Sequence, residues 1–216
     1  MSEEFHRKLN DLKEEVMEMG ELASGMLSDS ITALKNQDIE MADSVINRKN
    51  KLAEMDDEIE EKALTFIALY QPMASDMRKI GCILKMITYL ARIGRYGKDI
   101  AMTVKELAGE EQIGKLVEIP YMAEKVEEMI QDALRAFENE TVIDTEDFVS
   151  RDDELDSLRY SIFRECLTYM MEDPQKITRC SHYIMIARYL ERCGDHACKM
   201  AEKIYYMVTG ERKEIK

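Results

Sequence analysis

The chain has 216 residues with 44 acidic against 30 basic side chains, a formal charge of −14. A surface this acidic repels phosphate backbones and anionic lipid, which argues against nucleic-acid and membrane-surface binding and favours cations or basic protein patches as partners. Proline (3) and glycine (9) are scarce and tryptophan is absent, so the elements are long and uninterrupted, and the residues on hand are helix formers: the expectation is an all-α protein, more than about 70% helical.

The first helix is marked by Phe5, Leu9, Leu12, Val16, Met19, Ala23 and Met26. They alternate four and three apart, the stripe of a bundle helix, and the pattern runs to about Lys35. Asn36 to Asp38 breaks it, with Asp38 placed to cap a second helix. That helix carries Ala42, Val45, Leu52, Ile59, Ala63 and Phe66 and ends before Pro72, which cannot continue it. Ser75 is placed to cap a third helix with Ile80, Leu84, Ile87, Gly94, Ala101 and Val104, ending near Gly109. The stretch GEEQIGKLVEIP holds two glycines and a proline and reads as a linker, with one unit over residues 1–109, the connection over 110–120 and a second unit over 121–216.

The pattern then repeats. A fourth helix carries Met122, Val126, Met129, Ala133 and Phe137, and a turn around Asp144 starts a fifth with Phe148, Leu155, Ile162 and Tyr169. Asp173 and Pro174 form a favoured helix start, and the sixth helix runs through Tyr183, Ala187, Leu190, Gly194, Ala197, Ala201 and Ile204 to a C-terminal cap at Gly210. Short connections make neighbours antiparallel, so each half reads as a three-helix bundle, with Pro72 and Pro174 at equivalent corners. The duplication shows in the residues. YLARIGRYGKDIAM at 89–102 matches YLERCGDHACKMAE at 189–202 at the tyrosine, leucine, arginine and glycine. The acids do not match: Ala91 stands opposite Glu191, and Arg95 opposite Asp195.

Glu191 and Asp195 are four apart and present two carboxylates in one direction, as do Asp152 and Asp156 on the helix before. With these helices antiparallel, four carboxylates would converge on one groove and offer hard oxygen ligands to Mg²⁺, Mn²⁺, Ca²⁺ or iron. The same spacing also suits a solvated acidic face in a chain that is acidic throughout. Asp153 is an alternative ligand, and His182 and His196 could add nitrogen. Cys193, His196 and Cys198 lack a standard zinc spacing, and Glu3 with His6 is the sole Glu-x-x-His of the di-iron kind. With neither a GxSxG nor a phosphate-cradling glycine loop, nothing argues for an enzyme. The odd number of cysteines and the absence of a CxxC suit a reducing cytoplasm, the N-terminus is charged and amphipathic rather than a secretion signal, and the apolar runs are too short to span a bilayer.

Three of these segments resemble motifs of the PhoU family of phosphate-transport regulators. YLERCGDHACKMAE is similar to its L-E-R-I-G-D-H-A-x-N-I-A-E, VSRDDELDSL to its R-D-D-x-I-D-x-L, and YQPMASDMRKI to its Q-P-x-A-x-D-L-R. The resemblance covers about Phe5 to Val208. It implies a double three-helix bundle, a homodimer, and a bound divalent or transition metal such as iron, zinc, manganese or magnesium on the acidic faces. It implies contact with the ATPase subunit of a phosphate ABC transporter and with a phosphate-sensing histidine kinase, and a role in holding uptake and the starvation response low. By position it assigns Glu191, Asp195, Asp152 and Asp156 as metal ligands, beside the Asp153 and His196 candidates that spacing offers; Lys199 departs from the family's asparagine. In the first half Lys49, Asn50, Ala53, Ala91 and Arg95 replace the acids, so metal is expected in the second half only. A metal-handling or metal-sensing helical protein, or a regulator of another transporter, are the alternative readings.

Overall fold

A computed structural model describes residues 3–116 and 118–215. Helix accounts for 88% of it, and among the described residues no strand is present. The helices are α1 (Glu3–Asn36), α2 (Ile39–Asn47), α3 (Lys49–Tyr70), α4 (Ala74–Glu106), α5 (Ile119–Asn139), α6 (Thr145–Glu172) and α7 (Ile177–Thr209), with short 3-10 turns at Gly114–Leu116 and Pro174–Lys176. The six expected helices are therefore present, the second divided at Arg48 into α2 and α3. At Arg48 the helical turn tightens, its N–H donating to the Val45 carbonyl at 3.1 Å, while its guanidinium reaches Asp29 of α1 at 2.6 Å. Val45 and Leu52 keep their seven-residue spacing across the break, which is why periodicity runs through it.

Caps fix most of the boundaries. The Asp38 carboxylate accepts from the Met41 N–H at 2.9 Å, Asp144 from Glu146 and Asp147, and Asp173 from Gln175, satisfying amides that the first helical turn leaves open. Gly210 closes α7 at φ 78°, a left-handed position that glycine adopts without strain. Ser75 does not cap its helix. The chain reverses within three residues, with Gln71 and Ala74 both at positive φ, so α4 starts at Ala74, two residues earlier than a Ser75 cap would set it, after an extended Met73. Pro174 opens a 3-10 turn ahead of α7 rather than α7 itself.

The centre of the molecule is the pair α4 and α7, which run antiparallel along their whole length. Arg78 Nε donates to the Met207 carbonyl at one end (3.4 Å), Tyr89 and Tyr96 stack on His196 in the middle, and His182 Nδ1 lies 3.5 Å from Glu106 at the other end. Helices α1, α2 and α3 pack on α4, and α5 and α6 on α7, in a pseudo-twofold arrangement. The symmetry reaches side-chain detail. Leu52 of α3 fills the space over Gly94 of α4, and Leu155 of α6 fills the space over Gly194 of α7; a Cβ at either glycine would overlap the leucine methyls. Both prolines lie at the corners between second and third helices of their halves. The connecting segment is tied down: Gln112 donates to the Leu34 and Lys35 carbonyls at the open end of α1 (both 3.0 Å), and Arg179 to the Glu111 carbonyl (2.7 Å). The buried apolar residues of both halves form one continuous cluster.

Candidate functional site

Helices α6 and α7 set the geometry of the acidic motifs. Their register follows from three pairs: Asp152 beside Cys198, Leu155 on Gly194, and Arg159 beside Glu191. Rising numbers on one helix meet falling numbers on the other, so the pair is antiparallel, as the short corner requires. This register divides the four carboxylates. Asp152 and Asp195 line one groove of about 420 Å³, together with Tyr89, His196, Cys198 and Lys199, and Ile215 closes its edge. Glu191 lies to the other side of the leucine–glycine contact, with Arg159 Nε 3.5 Å from its Oε1. Asp156 is half-buried and Asp153 exposed, and neither lines the groove. His182 sits at the far end of α7 against Glu106.

Two of the acids already face a cation. Arg192 Nη1 is 2.8 Å from Asp195 Oδ2, and Arg159 faces Glu191. Spacing within α7 could have shown the first of these, since residues three apart are neighbours. It could not have shown the second, which comes from another helix. Among the described residues no group of three or more His, Cys, Asp or Glu side chains is arranged to hold a metal ion. A cation held by all four carboxylates would displace Arg192 and Arg159 and draw carboxylates in from both sides of the Leu155–Gly194 contact. In the first half the corresponding Lys49, Ala53 and Arg95 are exposed.

The other reactive groups are muted. All five cysteines are free and buried. Burial raises the Cys82 and Cys166 thiols to about 12, and burial with the Asp152 charge pushes Cys198 up as well. Thiols kept protonated in this way are poor nucleophiles. Burial lowers His196, which is stacked between two tyrosines, and Asp195 only partly opposes that. The arrangement holds charges in place more readily than it moves protons.

A tandem of helical units with this corner, this glycine lock and these acidic motifs matches one family in both halves: the PhoU domain, over residues 16–104 and again over 119–204. The chain belongs to the PhoU family. It is 39% identical over 211 residues to the phosphate-specific transport system accessory protein PhoU homolog of Rhizobium meliloti, covering 97% of this chain and 89% of that protein. It is 35% identical to the homolog of Clostridium acetobutylicum, covering 98% and 97%. The crystal structure of PhoU from Pseudomonas aeruginosa superposes with a TM-score of 0.90 at 33% identity, covering 96% of this chain and all of that one. The phosphate transport system regulatory protein PhoU from Streptococcus pneumoniae gives 0.88 at 26% identity, covering 97% and 99%. PhoU relatives bearing these names are accessory proteins of phosphate transport. Among the described residues no helix is long and apolar enough to cross a membrane.

Proposed function

We propose that this protein restrains high-affinity phosphate uptake and the phosphate-starvation response by direct contact with other proteins, without chemistry of its own. The observation that carries this reading is family membership in both halves, with curated relatives named as accessory proteins of the phosphate-specific transport system. The partner in this reading is the ATPase subunit of a phosphate ABC transporter, met in the cytoplasm, with a phosphate-sensing histidine kinase as a second.

The surface supports action by contact. Tyr160, Phe163, Leu167 and Met171 are exposed at three- and four-residue spacings along the outside of α6, with Met171 86% accessible. Such a stripe, about 16 Å long, suits a partner surface better than solvent. The test is calorimetric titration with the purified ATPase subunit, read alongside its ATP hydrolysis. Binding with slowed hydrolysis is expected, and Phe163→Ser with Leu167→Ser should weaken it by about tenfold or more while leaving helix content unchanged. An ATPase subunit that ignores the wild-type protein would overturn the reading; a variant that binds as wild type would remove α6 as the contact.

A further inference from the structure

A strongly basic concavity stands out in this acidic chain. A groove of about 820 Å³ lies where the start of α4 meets the end of α7 and the tail over residues 211–215. Arg78 and Lys85 of α4, Lys203 of α7, and Arg212 and Lys213 of the tail line it, against Glu202 and Glu214. The cations outnumber the two acids, and one acid is already engaged. Glu202 is buried, and its Oε1 takes Lys199 Nζ at 2.7 Å and the Ile215 N–H at 2.9 Å. The charge of Glu214 also acts on Lys199.

The cations are placed rather than loose. Arg78 spends its Nε on the Met207 carbonyl and packs over Gly210, which fixes its guanidinium at the groove wall. Arg212 lies over the Tyr206 ring. Lys213 makes a long pair with Glu146 at 3.9 Å. Among the described residues no ion pair engages Lys85, Lys203 or Arg212. Like charges gathered in one concavity repel one another, and a multivalent anion relieves that cost.

The internal repeat supplies a control. The same corner at the opposite end of the α4–α7 pair has Thr178 for Arg78, Met185 for Lys85 and Thr103 for Lys203. The fold is built there without these cations, so packing does not require them.

We propose that this groove binds a polyphosphate anion, a chain of two or more linked phosphoryl groups, either free or carried by a nucleotide. The cations come from three separate segments around a groove of about 820 Å³, room for more than one phosphoryl group, and guanidinium and ammonium groups together suit phosphoryl oxygens. Ile67 and Leu84 add apolar surface to the lining of the same groove, against which a flat base could lie. This inference is independent of the transporter reading.

The test is calorimetric titration with inorganic phosphate, tripolyphosphate, ATP and poly-glutamate at two salt concentrations. Tripolyphosphate should bind about tenfold or more tighter than phosphate, and added salt should weaken it. ATP binding tighter than tripolyphosphate assigns the site to a nucleotide; equal binding assigns it to the phosphate chain alone. The double variant Lys85→Gln with Lys203→Gln should lose about tenfold or more. Lys49→Gln with Lys51→Gln, which removes the same charge from exposed positions of α3, should retain binding. Failure of both polyphosphates to bind, equal losses in the two double variants, or competition by poly-glutamate as effective as by tripolyphosphate would overturn the proposal. Circular dichroism confirms that each variant is folded.

Discussion

At Gly97 of α4 an added Cβ would lie 2.8 Å from the carbonyl carbon and oxygen of Met26 and 2.9 Å from the Leu27 nitrogen. These are backbone atoms of α1 and cannot swing aside. At Gly25 of α1 the nearest atom is the end of Arg48, at 3.9 Å. The same substitution should therefore act in opposite directions. Gly97→Ala gains about 1 kcal/mol of helix propensity but forces two helices apart at a cost of about 1–3 kcal/mol, a net loss. Gly25→Ala keeps the gain alone, about 0.5–1 kcal/mol. Thermal unfolding should show a lower midpoint for the first and a raised one for the second; shifts of the same sign would contradict the packing described here. The sequence gives no warning of Gly97, because its neighbours lie on a helix about seventy residues earlier in the chain. Gly94 and Gly194 were visible as matched positions of a repeat, though not the leucines that fill them. The acidic pairs were legible for the same reason, their spacing being local, while Arg159 facing Glu191 belongs to a crossing of helices that no spacing records.

Among the elements, periodic stripes located all the long helices, and Asp38, Asp144 and Gly210 marked ends where the chain does stop. What escaped was the break at Arg48 and the 3-10 turn at Pro174, because both leave the apolar spacing undisturbed. The end of α5 was also opaque. Glu140, its C-cap at φ 51°, lies between Lys13 of α1 (3.1 Å) and Lys79 of α4 (2.7 Å). Burial alone would raise this carboxyl; the hydrogen bonds from Lys79 and Lys13 outweigh it and hold it below its ordinary value. A carboxylate depressed on folding stabilises fully above its unfolded pKa of about 4.5 and loses that contribution as pH falls through the lower folded value. The site is partly exposed, so solvent screening limits the contribution to less than about 1 kcal/mol. Glu140→Gln should lower the unfolding midpoint at pH 7 and converge with wild type in acid, once the carboxyl is protonated in both folded and unfolded states. A constant gap between the two proteins across that range would rule out the ionic tie between α5 and the first half.

For the whole molecule, the duplication was plain in the sequence and the union of the two halves was not. Tyr89 and Tyr96 reach across to His196, and the apolar cluster runs unbroken from one half to the other. The chain should therefore unfold in a single calorimetric transition. Residues 1–110 or 118–216 expressed alone should associate or lose helix, because each would expose its central helix to water. Two separated transitions, or two stable monomeric halves, would show the halves to be independent. The basic groove was hidden for a different reason: a net charge of −14 is a sum over the surface and says nothing of where the minority sign collects.

The antiparallel pairing of α4 and α7 also has a mechanical side. Each is 33 residues long, about 50 Å of helix, and the two brace one another from Arg78 to Glu106. The two proline corners thus stand at opposite ends of a stiff double strut. Bodies attached at both corners would therefore be kept a helix length, roughly 50 Å, apart.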